Sequence, residues 1–230
     1  MYKKITHTIV EEHFDHPIAS QIKKSLGRSK IVTNEVFLED KFRADIHSYF
    51  ESYINHLVAL VNSVNGPQNN FLLEFDNFFK TPWLDDLGNM IKPIYPTEFA
   101  EKINEALRMM PTTIFSGLQL IQDGKDTGPT FNRMQFITNE LAQTLSTFNN
   151  AWQYGTTSNL FNTLFTDVFN LAKARIAKNS TLEQQLLQKI STSWTTFEKV
   201  FVDGVVRQYP ERFTKTATTI PMTSNSRDIM

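Results

Sequence analysis

The sequence predicts an all-α protein, a bundle of long antiparallel amphipathic helices with shorter helices packed at one end. Three observations predict it. Apolar residues recur at steps of three and four through most of the chain, the period that lines one face of an α-helix. Helix start and stop residues fall between those stretches. No run alternates convincingly between apolar and polar as a half-buried strand would, although residues 6–10 are β-prone.

A first short helix is expected near 17–26. A long one near 34–64 carries the stripe Ile46, Phe50, Tyr53, Leu57, Leu60 and Val64, whose alternating steps of four and three keep one face apolar. The turn "NGP" (65–67) ends it, and a helix near 68–80 follows. "TPWLD" (81–85) reads as an N-cap threonine, a proline at the first helical position and an acid two residues later, opening a helix near 82–92. Helices near 97–110 and 112–122 come next, parted at Pro111. "DGKDTGP" (123–129) is the clearest interior loop.

The stripe Met134, Ile137, Leu141, Leu145, Phe148 and Trp152 places a helix near 131–153, with Gly155 suited to a left-handed stop behind it. A helix near 158–178 repeats apolar pairs from Leu160/Phe161 to Leu171/Ala172, a broader arc than a two-stranded coil needs. "STLE" (180–183) has capping-box spacing and opens a helix near 181–208. Its stripe is Leu182, Leu186, Ile190, Trp194, Phe197, Phe201 and Val205, and Pro210 should end it. The loop at 123–129 weakly divides residues 1–128, with several short helices, from a long-helix part at 129–209. Residues 210–230, rich in Thr and Ser, are expected to form an extended or mobile tail on one structural domain.

Composition bounds the function. A chain of 230 residues can bury a sizeable core without cross-links. The absence of cysteine excludes disulfides and thiolate catalysis and suits a reducing cytoplasm. A net charge of −1 gives no strongly basic surface for nucleic acid. The basic start has no apolar core of signal-peptide length, and no stretch is apolar enough to form a transmembrane segment.

Two features stand out. Nineteen phenylalanines imply a bulky core or a large interface. Charge is sparse at 20%, and neither 52–73 nor 141–166 contains Asp, Glu, Lys or Arg. Charged side chains are depleted at interface cores because desolvating them is costly. The 141–166 stretch therefore reads either as a face that packs on a partner or as a helix buried on most sides. Phe148, Trp152, Phe161, Phe165, Phe169, Trp194, Phe197 and Phe201 are the expected core or interface residues. Residues 110–122, also uncharged, read as a buried hairpin helix, with contact to a peripheral apolar surface as the alternative.

Candidate metal ligands crowd in "THTIVEEHFDHP" (6–17). In a helix, His7 and Glu11 would share one face and Glu12 and His16 the opposite one, so the cluster would split. In an extended chain, His7, Glu11, His13 and Asp15 would point the same way, a better metal site. His47 and His56 lie on opposite flanks of the long helix, and His47 forms an i,i+4 pair with Glu51. The set His7, Glu11, His13, Asp15 and His47 is thus the candidate metal group, with a polar helix start as the competing reading. The chain has no Glu-x-x-His, no His-Glu-x-x-His and no Gly-x-Ser-x-Gly. "GKDTG" (124–128) lacks the earlier glycine of a phosphate loop, since position 119 is Gln119.

The expected function is non-catalytic: a helical scaffold, coat or adaptor acting on a protein partner or as a homo-oligomer, with no cofactor needed for folding. One alternative is a metal-dependent helical-bundle enzyme built on the histidine cluster. The other is a small-molecule binder with an aromatic-lined helical cavity.

Overall fold

The structure is a computed structural model that describes residues 37–80 and 85–214. The chain divides into Met1–Val32, wholly outside the described residues, and Thr33–Met230, which holds every element below. The helix expected near 17–26, the cap at 81–84 and the stretch from 215 onward also lie outside the described residues.

The fold is all-α. Strand β1 (Phe37–Leu38) leads into α1 (Glu39–Asn62), which tightens into a 3₁₀ turn at Ser63–Asn65. Then come α2 (Gln68–Lys80), α3 (Asp86–Ile91), α4 (Thr97–Gln122), α5 (Gly128–Phe148), α6 (Tyr154–Ile176) and α7 (Ser180–Gln208). A 3₁₀ turn at Pro210–Arg212 and strand β2 (Phe213–Thr214) follow. The α1 stripe is buried from Ile46 to Val64, as its period requires. Along α7 the stripe is buried from Leu186 to Val205, but Leu182, in the first turn, is exposed.

Contacts set the direction of packing. Arg43 on α1 meets Asp203 on α7 at 2.9 Å, His47 meets Glu198 at 3.0 Å, and the Phe50 carbonyl accepts from Trp194 Nε1 at 2.7 Å. Numbers rise on α1 as they fall on α7, so these two helices run in opposite directions. The same holds for α5 and α6, joined by Thr138 with Asn162 and Asn139 with Ser158.

The core is an aromatic lattice. Phe50 stands edge-on to Trp194, Phe197 and Phe201 at centroid distances of 5.4, 5.3 and 5.9 Å. Tyr53 stacks on Trp194 at 5.0 Å. Burying one such ring contributes about 1.5–3 kcal/mol, and the offset and edge-on geometries add to that. The buried indoles of Trp152 and Trp194 place their N–H on a helix carbonyl, as burial of a polar atom demands. The core runs without a break through residues on both sides of position 128.

Four expectations are corrected. The two helices at 97–110 and 112–122 are one, α4, which continues through Pro111. Proline removes the N–H that would bond the carbonyl four residues earlier. That carbonyl, on Leu107, accepts instead from the Tyr53 hydroxyl of α1 at 3.4 Å. Second, the helix expected at 131–153 ends at Phe148, and Trp152 belongs to a loop. Asn149 turns the chain: its Oδ1 accepts from the Ala151 N–H at 2.8 Å and its Nδ2 donates to the Tyr95 hydroxyl at 3.0 Å. Gly155 accordingly lies in the first turn of α6 rather than at a stop.

Third, the cap of α7 is Asn179, whose side chain accepts from the Leu182 N–H, so Ser180 is the first helical residue. Fourth, a short parallel pairing, Phe37 with Phe213 and Leu38 with Thr214, joins the two ends of the described chain. Residues 210–214, expected to begin a tail, are packed there. Arg212 is buried and donates to the Pro93 carbonyl at 2.9 Å, and Phe213 lies 5.1 Å from Phe42.

Candidate functional site

A groove of about 670 Å³ runs along the flank of α4. Residues 101, 104, 105, 108 and 112 recur at helical spacing, so Glu101, Asn104, Glu105, Arg108 and Thr112 stand on one face of α4 and form its long wall. The facing wall is Asp85, Asn89 and Lys92, contributed by α3 and its ends. Phe79 of α2 and Met109 supply apolar surface, and Arg133 of α5 closes one side.

Close packing holds the walls together. The Gly88 N–H donates to Asn104 Oδ1 at 3.0 Å, and a Cβ at position 88 would fall 2.3 Å from that side chain. A larger residue at position 88 would push the Asn104 side chain aside and break that bond. Arg108 reaches across to pair with Asp85. Asp85 stands at the N-cap position of α3; the turn expected to open at 81–82 lies outside the described residues. The lining balances three cations, Lys92, Arg108 and Arg133, against three carboxylates, Asp85, Glu101 and Glu105.

Two smaller depressions flank the bundle. One, of about 480 Å³, is bounded by Asp45, Ser48, Tyr49, Ser52, Asp86 and Met90 and shares Asn89 with the groove. Burial, then the charges of Asp86 and Asp85, hold the Tyr49 phenol well above its ordinary pKa of 10.0, so it stays protonated. The other, of about 290 Å³, lies between α5 and α6, among Gln135, Asn159, Asn162, Thr163, Thr166 and Asp167. Desolvation raises the Asp167 carboxyl, and the charge of Lys189 opposes that.

Of the candidate metal ligands, His7, Glu11, His13 and Asp15 lie outside the described residues. His47 is exposed, and its Nδ1–H donates to the Glu198 carboxylate. His56 sits beside the Phe78 ring at 5.8 Å, away from His47. Among the described residues no three His, Asp or Glu side chains gather as a metal site.

The expected core or interface residues are placed inside this chain. Trp152, Phe161, Phe165, Phe169, Trp194, Phe197 and Phe201 are buried and Phe148 is partly buried. Their rings pack on one another: Trp152 stacks on Phe201 at 5.0 Å, and Phe161 meets Phe197 at 4.6 Å. Much of the uncharged 141–166 stretch joins α5 to α6. Ser158 donates to Asn139 Oδ1 at 2.6 Å, and Thr138 and Asn162 meet at 3.0 Å.

The groove itself was not anticipated. Its α4 wall reads in sequence as an ordinary solvated helix face. Only packing brings Asp85, Lys92 and Arg133 opposite it. Compared with family models, with curated proteins and with solved structures, the chain matches none of them.

Proposed function

We propose that this chain is a non-catalytic helical adaptor that holds a segment of a protein partner in the groove along α4. The observation that carries the reading is the make-up of the groove lining. A small-molecule site buries about 70–90% of its ligand. This groove is open to solvent and edged with six ionisable groups. A nucleic acid would meet Asp85, Glu101 and Glu105 beside the cations, and those carboxylates repel phosphate. Charges of both signs at the edge of an apolar lining suit a polypeptide that carries both charges, with the fixed charges setting register and on-rate. The same α2 flank bears Leu72 and Phe75 in line with Phe79, which offers apolar anchors leading toward the groove. A cysteine-free chain fits such work in the cytoplasm.

The test is affinity capture with the parent and with Glu101→Lys/Glu105→Lys, both checked for unchanged helical circular dichroism. A partner held by the parent and lost by the variant is the expected result. Equal recovery by both would remove the groove from the account.

A further inference from the structure

We propose that the outer face of the α5–α6 pair is a self-association surface that docks a second copy of this chain. Every exposed residue from Asn132 to Asn170 is uncharged. The three ionisable side chains between them are withdrawn to different degrees. Arg133 lines the α4 groove, Asp167 is buried in the lining of the depression between α5 and α6, and Glu140 is half-buried. Elsewhere the surface has ordinary charge, with Glu98, Glu101, Glu105 and Arg108 exposed on α4 and Lys189, Lys199 and Arg207 exposed on α7. The exposed faces of α4 and α7 are thus charged where this one is not.

Helical spacing puts Asn132, Phe136 and Gln143 in line on α5, and Asn159, Thr163 and Asn170 in line on α6. The pairs Thr138–Asn162 and Asn139–Ser158 fix the register, so Phe136 stands at the level of Thr163. Phe136 is 51% exposed at the centre of this face, and Tyr154 is exposed at the start of α6. Exposed aromatics within an uncharged patch are the usual anchors of a protein contact.

Charge and hydrogen-bond chemistry together select a second copy. A two-fold contact sets a patch against its own copy, so a patch of net charge repels itself and a neutral one does not. Asn, Gln and Thr side chains both donate and accept, and can therefore pair with themselves. A partner recognised by charge would find no exposed counter-charge here, and a bilayer surface would call for a basic rim and a wider apolar stripe. Two helices about 30 Å long and about 10 Å apart present a footprint of about 600 Å², close to the roughly 800 Å² per partner of a standard interface.

The experiment is sedimentation equilibrium on the full chain over a wide concentration range. It compares the parent with Asn159→Glu/Thr163→Glu and with Asn159→Lys/Thr163→Lys. Both sites are exposed, so the variants should keep the parent's circular dichroism and unfolding midpoint. The parent is expected at twice 26.6 kDa. Each variant alone should dissociate about 100-fold more readily or worse, from like charges brought together, and their mixture should recover the double mass. A parent that stays at 26.6 kDa at every concentration overturns the proposal. So does a variant that dimerises as the parent does, or a mixture that fails to reassociate. Neither variant touches the α4 groove, so the adaptor reading stands or falls separately.

Discussion

Trp152 and Gly204 show how one atom decides a local fit. The indole N–H donates to the Val200 and Phe201 carbonyls at 3.1 and 3.2 Å. A Cβ on Gly204 would fall 2.0 Å from that nitrogen. In an open helix, Gly→Ala stabilises by up to about 1 kcal/mol. At position 204 the displaced indole should reverse the sign, with a loss of about 1–3 kcal/mol. Gly155 is the control, since nothing lies within 4 Å of its added Cβ and it sits in a helical turn. Urea unfolding followed by tryptophan fluorescence should place G204A below the parent and G155A at or above it. If the two shift alike, the contact does not matter. His47 offers a second residue-scale test. A hydrogen bond and the charge of Glu198, then the charge of Glu51, hold the His47 pKa above its ordinary 6.5. The pair therefore adds stability in full below that ordinary value and loses it as pH rises through the raised one. His47 is well exposed, so the gain should not exceed about 1 kcal/mol. The stability difference between the parent and His47→Gln should accordingly shrink as pH rises, and a pH-independent difference would contradict this.

At the scale of an element, α4 depends on α1. Pro111 leaves the Leu107 carbonyl without its helical donor, and the Tyr53 hydroxyl supplies one. Replacing Tyr53 by Phe should leave a buried acceptor unsatisfied, at a cost of about 1–3 kcal/mol. Pro111→Ala restores an N–H beneath that carbonyl. In the Pro111→Ala background the Tyr53→Phe change should therefore cost less, with a coupling of about 0.5–3 kcal/mol in a double-mutant cycle. Strict additivity would mean that the tyrosine serves another purpose. The end of α6 is a related case: Lys178, with φ at +54°, occupies the left-handed position usually filled by glycine. Its N–H bonds the Arg175 carbonyl, and the Asn179 N–H bonds the Ala174 carbonyl, so the stop is enforced by hydrogen bonding without the residue that would announce it.

At the scale of the molecule, the two ends of the described chain close on each other. Phe37, Phe42 and Phe213 form one ring cluster, and the Arg212 guanidinium lies 5.9 Å from the Phe37 ring centroid as well as on the Pro93 carbonyl. Truncation after Tyr209 removes Arg212 and Phe213 together. Losing one charged hydrogen bond and one packed ring should cost about 3 kcal/mol or more, lowering Tm by several degrees in a chain of this size. A thermal melt matching the parent's would show that this closure adds nothing.

Local pattern was enough for the fold class, for the buried stripe of α1, and for most of those of α5 and α7. Burial on one face of a helix imposes a period on residues only three or four apart, and that period can be read directly. The same reading placed a helix boundary at Pro111, carried the α5 helix on to Trp152 and set the α7 cap on Ser180. Each of the first two was decided by a distant group: the Tyr53 hydroxyl on α1, and the Tyr95 hydroxyl with the Val200 and Phe201 carbonyls around the Asn149–Trp152 turn. The third was a choice between two adjacent capping residues, settled by which side chain reaches the Leu182 N–H. The groove belongs with the first two. Its α4 wall was legible as a polar helix face, but the groove forms only where Asp85, Lys92 and Arg133 arrive from other elements. Such meetings are set by how helices pack, and packing joins residues whose separation along the chain has no period to reveal it.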